Sequence, residues 1–279
     1  MPEVSVVVPM YNEAENLPEL HSRLSKVLSK LGVAAEIIYV DDGSTDGTAQ
    51  LLQEFASCEG QAVAVRVVQM PQRRGKTVAL AAGLSLARGR VLVTTDADLQ
   101  EPPEVLPALV AQVQSGEAHL VVAWRQQRRD SMARVLASRL FNAVLRGLTG
   151  LALHDVNCGT KAMRREVADH LRCWMVSDMH RYLPVLAARM GYRVAEVPVP
   201  HVARRRGRSR FGASRYLRAV LDLLPVSLLW WRGWMVWSGW VATCVLLVAL
   251  NKAVGWLGAA FAVMWVGWAV AFWRKCRQA

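Results

Sequence analysis

Asp96 and Asp98 stand two residues apart in the stretch Arg90–Glu101, which reads RVLVTTDADLQE. The preceding Val91, Leu92 and Val93 form a short apolar run that reads as a buried strand. Residues two apart in an extended chain point the same way, so the two carboxylates are expected to project side by side. Neighbouring carboxylates repel, and each tends to take up a proton unless a cation lies between them. Mg²⁺ or Mn²⁺ meets that need, accepting a few carboxylate oxygens and leaving its other positions to water and phosphate. At the carboxyl end of a strand, where α/β proteins bind ligands, the pair is a candidate nucleoside-diphosphate site with Asp96, Asp98 and Gln100 around the ion. A lone Asp-x-Asp reads first as a solvated acidic turn. The rest of the chain reverses that preference.

The elements that must position these acids can be read in chain order. Val4–Val8 is a β-branched run ending at Pro9, followed by Met10-Tyr11-Asn12-Glu13. A helical pattern then runs through Leu17, Leu20, Leu24, Val27 and Leu28. Glu36–Val40 is a second strand, and it also ends in acid at Asp41-Asp42. A helix through Leu51, Leu52 and Phe55, a third strand Val63–Val68 and a small-residue helix Gly75–Leu86 lead to the fourth strand, Arg90–Thr95. This alternation predicts a parallel sheet covered on both faces. Three acidic or polar strand ends would then converge at one edge. Arg73-Arg74-Gly75-Lys76-Thr77 imitates a phosphate-binding loop, but Met70 stands where that motif requires glycine, so the reading is rejected.

A fifth strand, His119–Ala123, ends in Trp124-Arg125, and Gln126–Arg134 reads as a basic active-site loop. Ala133–Leu148 is amphipathic and basic, suited either to a membrane surface or to packing on the sheet. Asp155–Lys161 reads as a polar turn followed by helices through Ala188, and Tyr192–Val199 as a last strand. Residues 201–215 are rich in arginine.

Charge divides the chain. Residues 1–124 hold 9 Lys/Arg against 15 Asp/Glu, net −6, and residues 125–279 hold 25 against 7, net +18. A basic half implies an anionic partner: nucleic acid, phospholipid or a phosphorylated substrate. Five scattered cysteines without a C-x-x-C pattern argue against a disulfide framework or a zinc site. Val4–Val8 is too short and lacks the basic flank of a signal peptide. Residues 233–251 and 253–273 are uncharged stretches of 19 and 21 residues, bounded by Arg232, Lys252 and Arg274 and carrying several tryptophans near their ends. Each is close to the ~20 residues that cross the hydrocarbon, which predicts a tight transmembrane hairpin. The flanking arginines and lysines place the N-terminal domain and both termini on the cytoplasmic side.

A cation-bound diphosphate on a sugar becomes a good leaving group once its developing charge is neutralised. The acceptor should lie near the membrane, and a phosphate-bearing lipid suits Arg125, Arg134, Arg204 and Arg210, whose guanidinium forks match phosphate oxygens. Such an acceptor is already ionised and needs orientation more than a general base, with Asp155 as a candidate helper.

The motifs VVVPMYNEAEN, VDDGSTDGT, GKTVALAAGL, TTDADLQEPPE, RQQRRDSMARVLASR, DVNCGTKAMRR and RRRGRSRFG occur in that order. Over residues 4 to about 212 the sequence resembles the family-two glycosyltransferases of GT-A fold, and within them the polyisoprenyl-phosphate glycosyltransferases typified by dolichyl-phosphate mannose synthase. The resemblance implies an α/β fold with a Rossmann-like, mostly parallel sheet, here with interfacial amphipathic helices and a C-terminal two-helix transmembrane hairpin. It divides the chain into a GT-A domain (1–212, with 133–150 as an interface helix), a juxtamembrane amphipathic helix (213–232), the hairpin (233–273) and a basic tail (274–279). Pro9, Tyr11, Glu13, Val40 and Asp42 would hold base and ribose; Asp96, Ala97, Asp98 and Gln100 would surround metal and diphosphate. Arg125 would meet phosphate. Arg134 and Ser138 match an acceptor-loop pattern, and Arg204 and Arg210 fall in an arginine-rich acceptor motif, with Arg210 replacing the family's lysine. Asp98, Arg125, Arg134 and Arg204 are the implied catalytic set. The implied reaction inverts the anomeric carbon, moving a hexose from a UDP-glucose- or GDP-mannose-type donor to undecaprenyl or dolichyl phosphate for glycan assembly. Expected partners are the nucleotide sugar, the lipid and the membrane, with no nucleic acid; homo-oligomerisation is compatible with the sequence. One alternative is a hydroxyl acceptor on a glycolipid or polysaccharide, which would need a base and, in processive synthases, a Q-x-x-R-W motif that Trp231-Arg232-Gly233-Trp234 does not provide. A non-enzymatic basic membrane-attached module would explain the charge but not the clustered acids.

Overall fold

The computed structural model describes residues 1–58, 62–126 and 132–202. The expected juxtamembrane helix, hairpin and tail lie outside these residues, as do Arg204 and Arg210. Among the described residues, no helix is long and apolar enough to cross a membrane.

Strands β1 (Val4–Met10), β2 (Ala35–Asp41), β3 (Ala64–Gln69), β4 (Val91–Thr94), β5 (Leu120–Gln126), β6 (Lys161–Arg164) and β7 (Val194–Pro200) form one sheet. Their order is β3-β2-β1-β4-β6-β5-β7. β1 runs parallel to β2 and β4, β2 to β3, and β5 to β7. β6 departs from the predicted parallel sheet: it is antiparallel to both β4 and β5. Its segment, Lys-Ala-Met-Arg, offers only Ala162 and Met163 as apolar residues, and both are fully buried. Neighbours on two sides make this a strand, which is why its own pattern read as a turn running into helix.

β1 is buried along its whole length, as expected of a parallel strand covered on both faces. It continues past Pro9, where the sequence suggested a stop. β4 ends opposite Val7, so the side towards which a residue at position 9 would donate carries no strand, and proline's missing N–H costs no ladder bond.

The helices are α1 (Leu17–Ser29), α2 (Thr48–Ser57), α3 (Lys76–Leu86), α4 (Leu106–Gln114), α5 (Met132–Thr149), α6 (Arg165–Leu171) and α7 (Leu183–Arg189). α1 buries Leu17, Leu20, Leu24, Val27 and Leu28, one face at helical spacing. α3 sits unusually close to the sheet. A Cβ at Gly83 would lie 2.3 Å from Val7 Cγ1 and 2.9 Å from Val40 Cγ2. That approach fixes where the first residue of α3, Lys76, meets the carboxyl edge of β1. In α5 the C-terminal half rests on the domain: Leu145 is buried, the Phe141 ring lies 6.0 Å from that of Tyr182, and Asn142 Nδ2 donates to the His154 carbonyl at 2.6 Å.

Candidate active site

The carboxyl ends of β1, β2 and β4 open into one cleft, at the point where the sheet order departs from β1 in both directions. The cleft is open to solvent and is lined by Pro9, Met10, Tyr11, Glu13, Asp42, Lys76, Ala79, Asp96, Ala97 and Asp98. Seven of the residues singled out from sequence therefore meet: Pro9, Tyr11, Glu13, Asp42, Asp96, Ala97 and Asp98.

Two loops carry the nucleotide-side residues and are stitched together. Asn12 takes a left-handed conformation (φ 54°), and its side-chain carbonyl accepts the Thr45 N–H at 2.7 Å. Its own N–H donates to Ser44 Oγ at 2.8 Å, and the Glu13 N–H to Thr48 Oγ1 at 3.0 Å. Asp42 is almost wholly buried, and its carboxylate accepts the backbone N–H groups of Arg74 (2.6 Å) and Gly75 (2.8 Å). It thus anchors the entry to α3 as well as facing the cleft. Arg73, from the same entry, lies 4.3 Å over the Tyr11 ring. Val40 is fully buried beneath Gly83 rather than on the cleft wall.

The acidic pair does not lie in an extended strand. β4 stops at Thr94, and Asp96 and Asp98 occupy the turn that follows, with Leu99 in the left-handed region (φ 57°). Both carboxylates nevertheless reach the same cleft, because the turn folds back on itself: the Gln100 N–H donates to Asp98 Oδ1 at 3.2 Å. Gln100 itself is not on the lining; its carbonyl accepts the Val202 N–H at 2.9 Å. Asp96 forms an ion pair with Lys76. Burial would lift the Asp96 carboxyl, but Lys76, and beyond it Lys161 and Arg125, hold it below the usual carboxylate range.

Behind this turn lies a buried charge cluster that sequence reading resolved only in part. Arg125, on β5, donates from Nε to Asp155 Oδ2 at 2.6 Å and from Nη2 to Asp155 Oδ1 at 3.0 Å. Glu101 approaches the same guanidinium at 3.5 Å. The Arg125 side chain is only 14% exposed, so its fork is committed to two carboxylates instead of facing an open phosphate position. Burial, reinforced by Asp96, Asp98 and Asp155 against the pull of Arg125, pushes the Glu101 carboxyl up to about 7. Burial likewise brings Lys161 down to about 8, with its ammonium on the Cys158 carbonyl. Lys161 and Glu101 carry no spacing signal, and Lys76, a candidate supporting residue in the sequence, is brought to Asp96 by the folded chain. Arg134 falls in the first turn of α5, and Ser138 is half-buried on the same helix.

Among the described residues, no three His, Cys, Asp or Glu side chains gather to hold a metal by themselves. Mg²⁺ and Mn²⁺ do not require that: they bind through one or two carboxylates and complete their shell with water and substrate phosphate. Two hard-oxygen donors on the wall of an open cleft fit such an ion.

A model of the family described as Glycosyl transferase family 2 matches residues 5–172. The chain is 36% identical over 227 residues to dodecaprenyl-phosphate galacturonate synthase of Rhizobium johnstonii, a match spanning 80% of this chain and 66% of that protein. It is 37% identical over 260 residues to undecaprenyl-phosphate 4-deoxy-4-formamido-L-arabinose transferase of Salmonella paratyphi B, spanning 91% of this chain and 78% of that one. Among solved structures it is similar to glucosyl-3-phosphoglycerate synthase of Mycobacterium tuberculosis in complex with Mn²⁺, UDP and phosphoglyceric acid, with a TM-score of 0.64 and 25% identity. That superposition covers 81% of this chain and 78% of the synthase.

Proposed function

Starting from a chain that belongs to glycosyl transferase family 2, we propose that it transfers a hexose from a nucleoside-diphosphate sugar to a polyisoprenyl phosphate at the cytoplasmic face of a membrane. The observation that carries this reading is the convergence of Asp42, Asp96 and Asp98 with Tyr11 and Glu13 in one cleft at the carboxyl edge of β1, β2 and β4. The names of the two relatives, both polyprenyl-phosphate transferases or synthases, support the acceptor class. The Mn²⁺ and UDP in the similar synthase support a divalent ion and a nucleotide at this edge.

Pro9, Tyr11, Glu13 and Asp42 form the wall that would take base and ribose, with Ala97 small enough to leave room between the acids. Asp96 and Asp98 would hold Mg²⁺ or Mn²⁺, with Gln100 fixing their turn through its backbone N–H. When bound, the ion neutralises the charge that develops on the leaving diphosphate. Lys76 is placed to turn from Asp96 to a diphosphate oxygen. Arg125 works from behind, keeping Glu101 and Asp155 in place. The acceptor phosphate enters from the side of α5, with Arg134 and Ser138 on that helix and Arg204 and Arg210 further along the chain as its proposed anchors. One of its oxygens attacks the anomeric carbon as the bond to the diphosphate breaks, and configuration inverts. No proton need be removed, since phosphate monoesters are ionised near neutrality. Residues 233–273 would keep the cleft at the bilayer.

The test is a donor and acceptor panel: purified full chain, Mg²⁺ or Mn²⁺, UDP- and GDP-sugars, and undecaprenyl or dolichyl phosphate. A lipid-phosphate-linked sugar is expected with at least one donor. Transfer only to a hydroxyl acceptor would overturn the lipid-phosphate assignment, and salt-sensitive nucleic-acid binding without any transfer would overturn the enzyme reading.

A further inference from the structure

The segment between Asp155 and β6 crosses against the acidic turn and is clamped between the end of β4 on one side and β5 on the other. Thr94 Oγ1 donates to the Gly159 carbonyl at 2.9 Å, and the Thr95 and Thr160 hydroxyls share a hydrogen bond of 3.1 Å. The Ala123 N–H holds the Thr160 carbonyl at 3.0 Å from the other side. Between these clamps the α-carbon of Gly159 faces the Asp96 carboxylate. A Cβ at position 159 would stand 2.5 Å from Asp96 Oδ2 and 2.6 Å from both Cγ and Oδ1. Gly159 is not among the glycines with positive φ, so its backbone conformation is open to any residue. What excludes a side chain there is the carboxylate.

We infer that Gly159 is a positioning residue: by lacking a side chain it leaves the Asp96 carboxylate the space in which it can serve as an ion ligand. The inference rests on the metal-binding role proposed for Asp96. Restoring ordinary contact would move the carboxylate by about 0.9 Å, from 2.5 Å to 3.4 Å. Gly159 cannot yield, because its neighbours are hydrogen-bonded on both sides, whereas Asp96 is half-buried and can turn about its own bonds. Such a shift leaves the backbone in place, and the long Lys76 side chain paired with Asp96 can follow the carboxylate. The shift costs the ion much, since metal–ligand distances tolerate only about 0.2 Å. Gly159 thus belongs to the donor site although it touches no ligand, and it explains how the DVNCGTK motif is coupled to TTDADLQ.

The experiment is an electron paramagnetic resonance titration of Mn²⁺ into the full chain with UDP or GDP present, alongside thermal melting. Gly159→Ala should weaken Mn²⁺ binding by roughly tenfold to a hundredfold, the range seen when a ligand loses its supporting contact, with the melting temperature held. Wild-type Mn²⁺ affinity in Gly159→Ala would overturn the inference. If Gly159→Ala fails to fold, Asp96→Ala/Gly159→Ala decides: folding regained without the carboxylate supports the clash, and folding still lost overturns it. Absence of Mn²⁺ binding by the unsubstituted chain would overturn the metal site itself, and the role of Gly159 with it.

Discussion

Replacing Asp155 by alanine should be among the most damaging single changes outside the hydrophobic core. The Asp155 side chain is 3% exposed and accepts two bonds from an Arg125 that is 14% exposed. Removing it leaves a guanidinium that cannot lose its proton, buried and, among the described residues, paired with Glu101 at 3.5 Å. Breaking one side of a buried pair typically costs about 3–5 kcal/mol, and the remaining Glu101 contact places this case near the lower end, at ~3 kcal/mol. For a domain of this size that corresponds to a fall in melting temperature of about 6–12 °C. The assay is thermal unfolding of the purified chain followed by intrinsic fluorescence, with wild type and variants scanned at one fixed rate. Arg125→Met/Asp155→Ala should recover at least half of the loss, since the guanidinium is gone and Glu101, already lifted to about 7 and released from the pull of Arg125, takes up a proton. A melting temperature for Asp155→Ala within 2 °C of wild type, or a double variant whose loss is the plain sum of the two single ones, would show that the buried guanidinium does not depend on Asp155.

Gly83→Ala should lower the melting temperature, because overpacking against Val7 and Val40 costs about 1–3 kcal/mol; a rise, as helix propensity alone would give, would contradict the close packing of α3. Gly43→Ala should also destabilise, since Gly43 has φ +70° and a Cβ there would lie 2.6 Å from the Gln72 backbone; unchanged melting would show that the Asp42 loop has room to relax. Arg204→Ala should raise the KM for the lipid phosphate several-fold with little change in that for the donor, and identical acceptor kinetics would remove its proposed role.

The half of the sheet that holds the cleft is legible because β1, β2 and β4 are apolar apart from Ser5 and Glu36 until their ends, which run into polar or acidic residues. Burial on both faces writes itself into such strands, and the parallel alternation then dictates that their ends meet. The pairing of Arg125 with Asp155 was not legible, since thirty positions separate the partners and nothing local marks either as buried. β6 carries no strand signal of its own for the related reason that two neighbouring strands, rather than its own four residues, decide its conformation. In the sequence Asp42 stands out by its charge, whereas in the structure its carboxylate accepts the backbone N–H groups of Arg74 and Gly75. Gly159 reads as an ordinary turn glycine until the position of Asp96 is known.

The measurement that bears most directly on the account is transfer of labelled sugar to undecaprenyl phosphate, followed through removal of divalent ions with EDTA and their return as Mn²⁺. Wild type should lose transfer in EDTA and regain it with Mn²⁺, while Asp98→Ala, folded with a wild-type melting curve, should stay inactive at every Mn²⁺ concentration. Undiminished transfer in EDTA, or by Asp98→Ala, would contradict the claim that the acidic turn after β4 grips the donor through a cation.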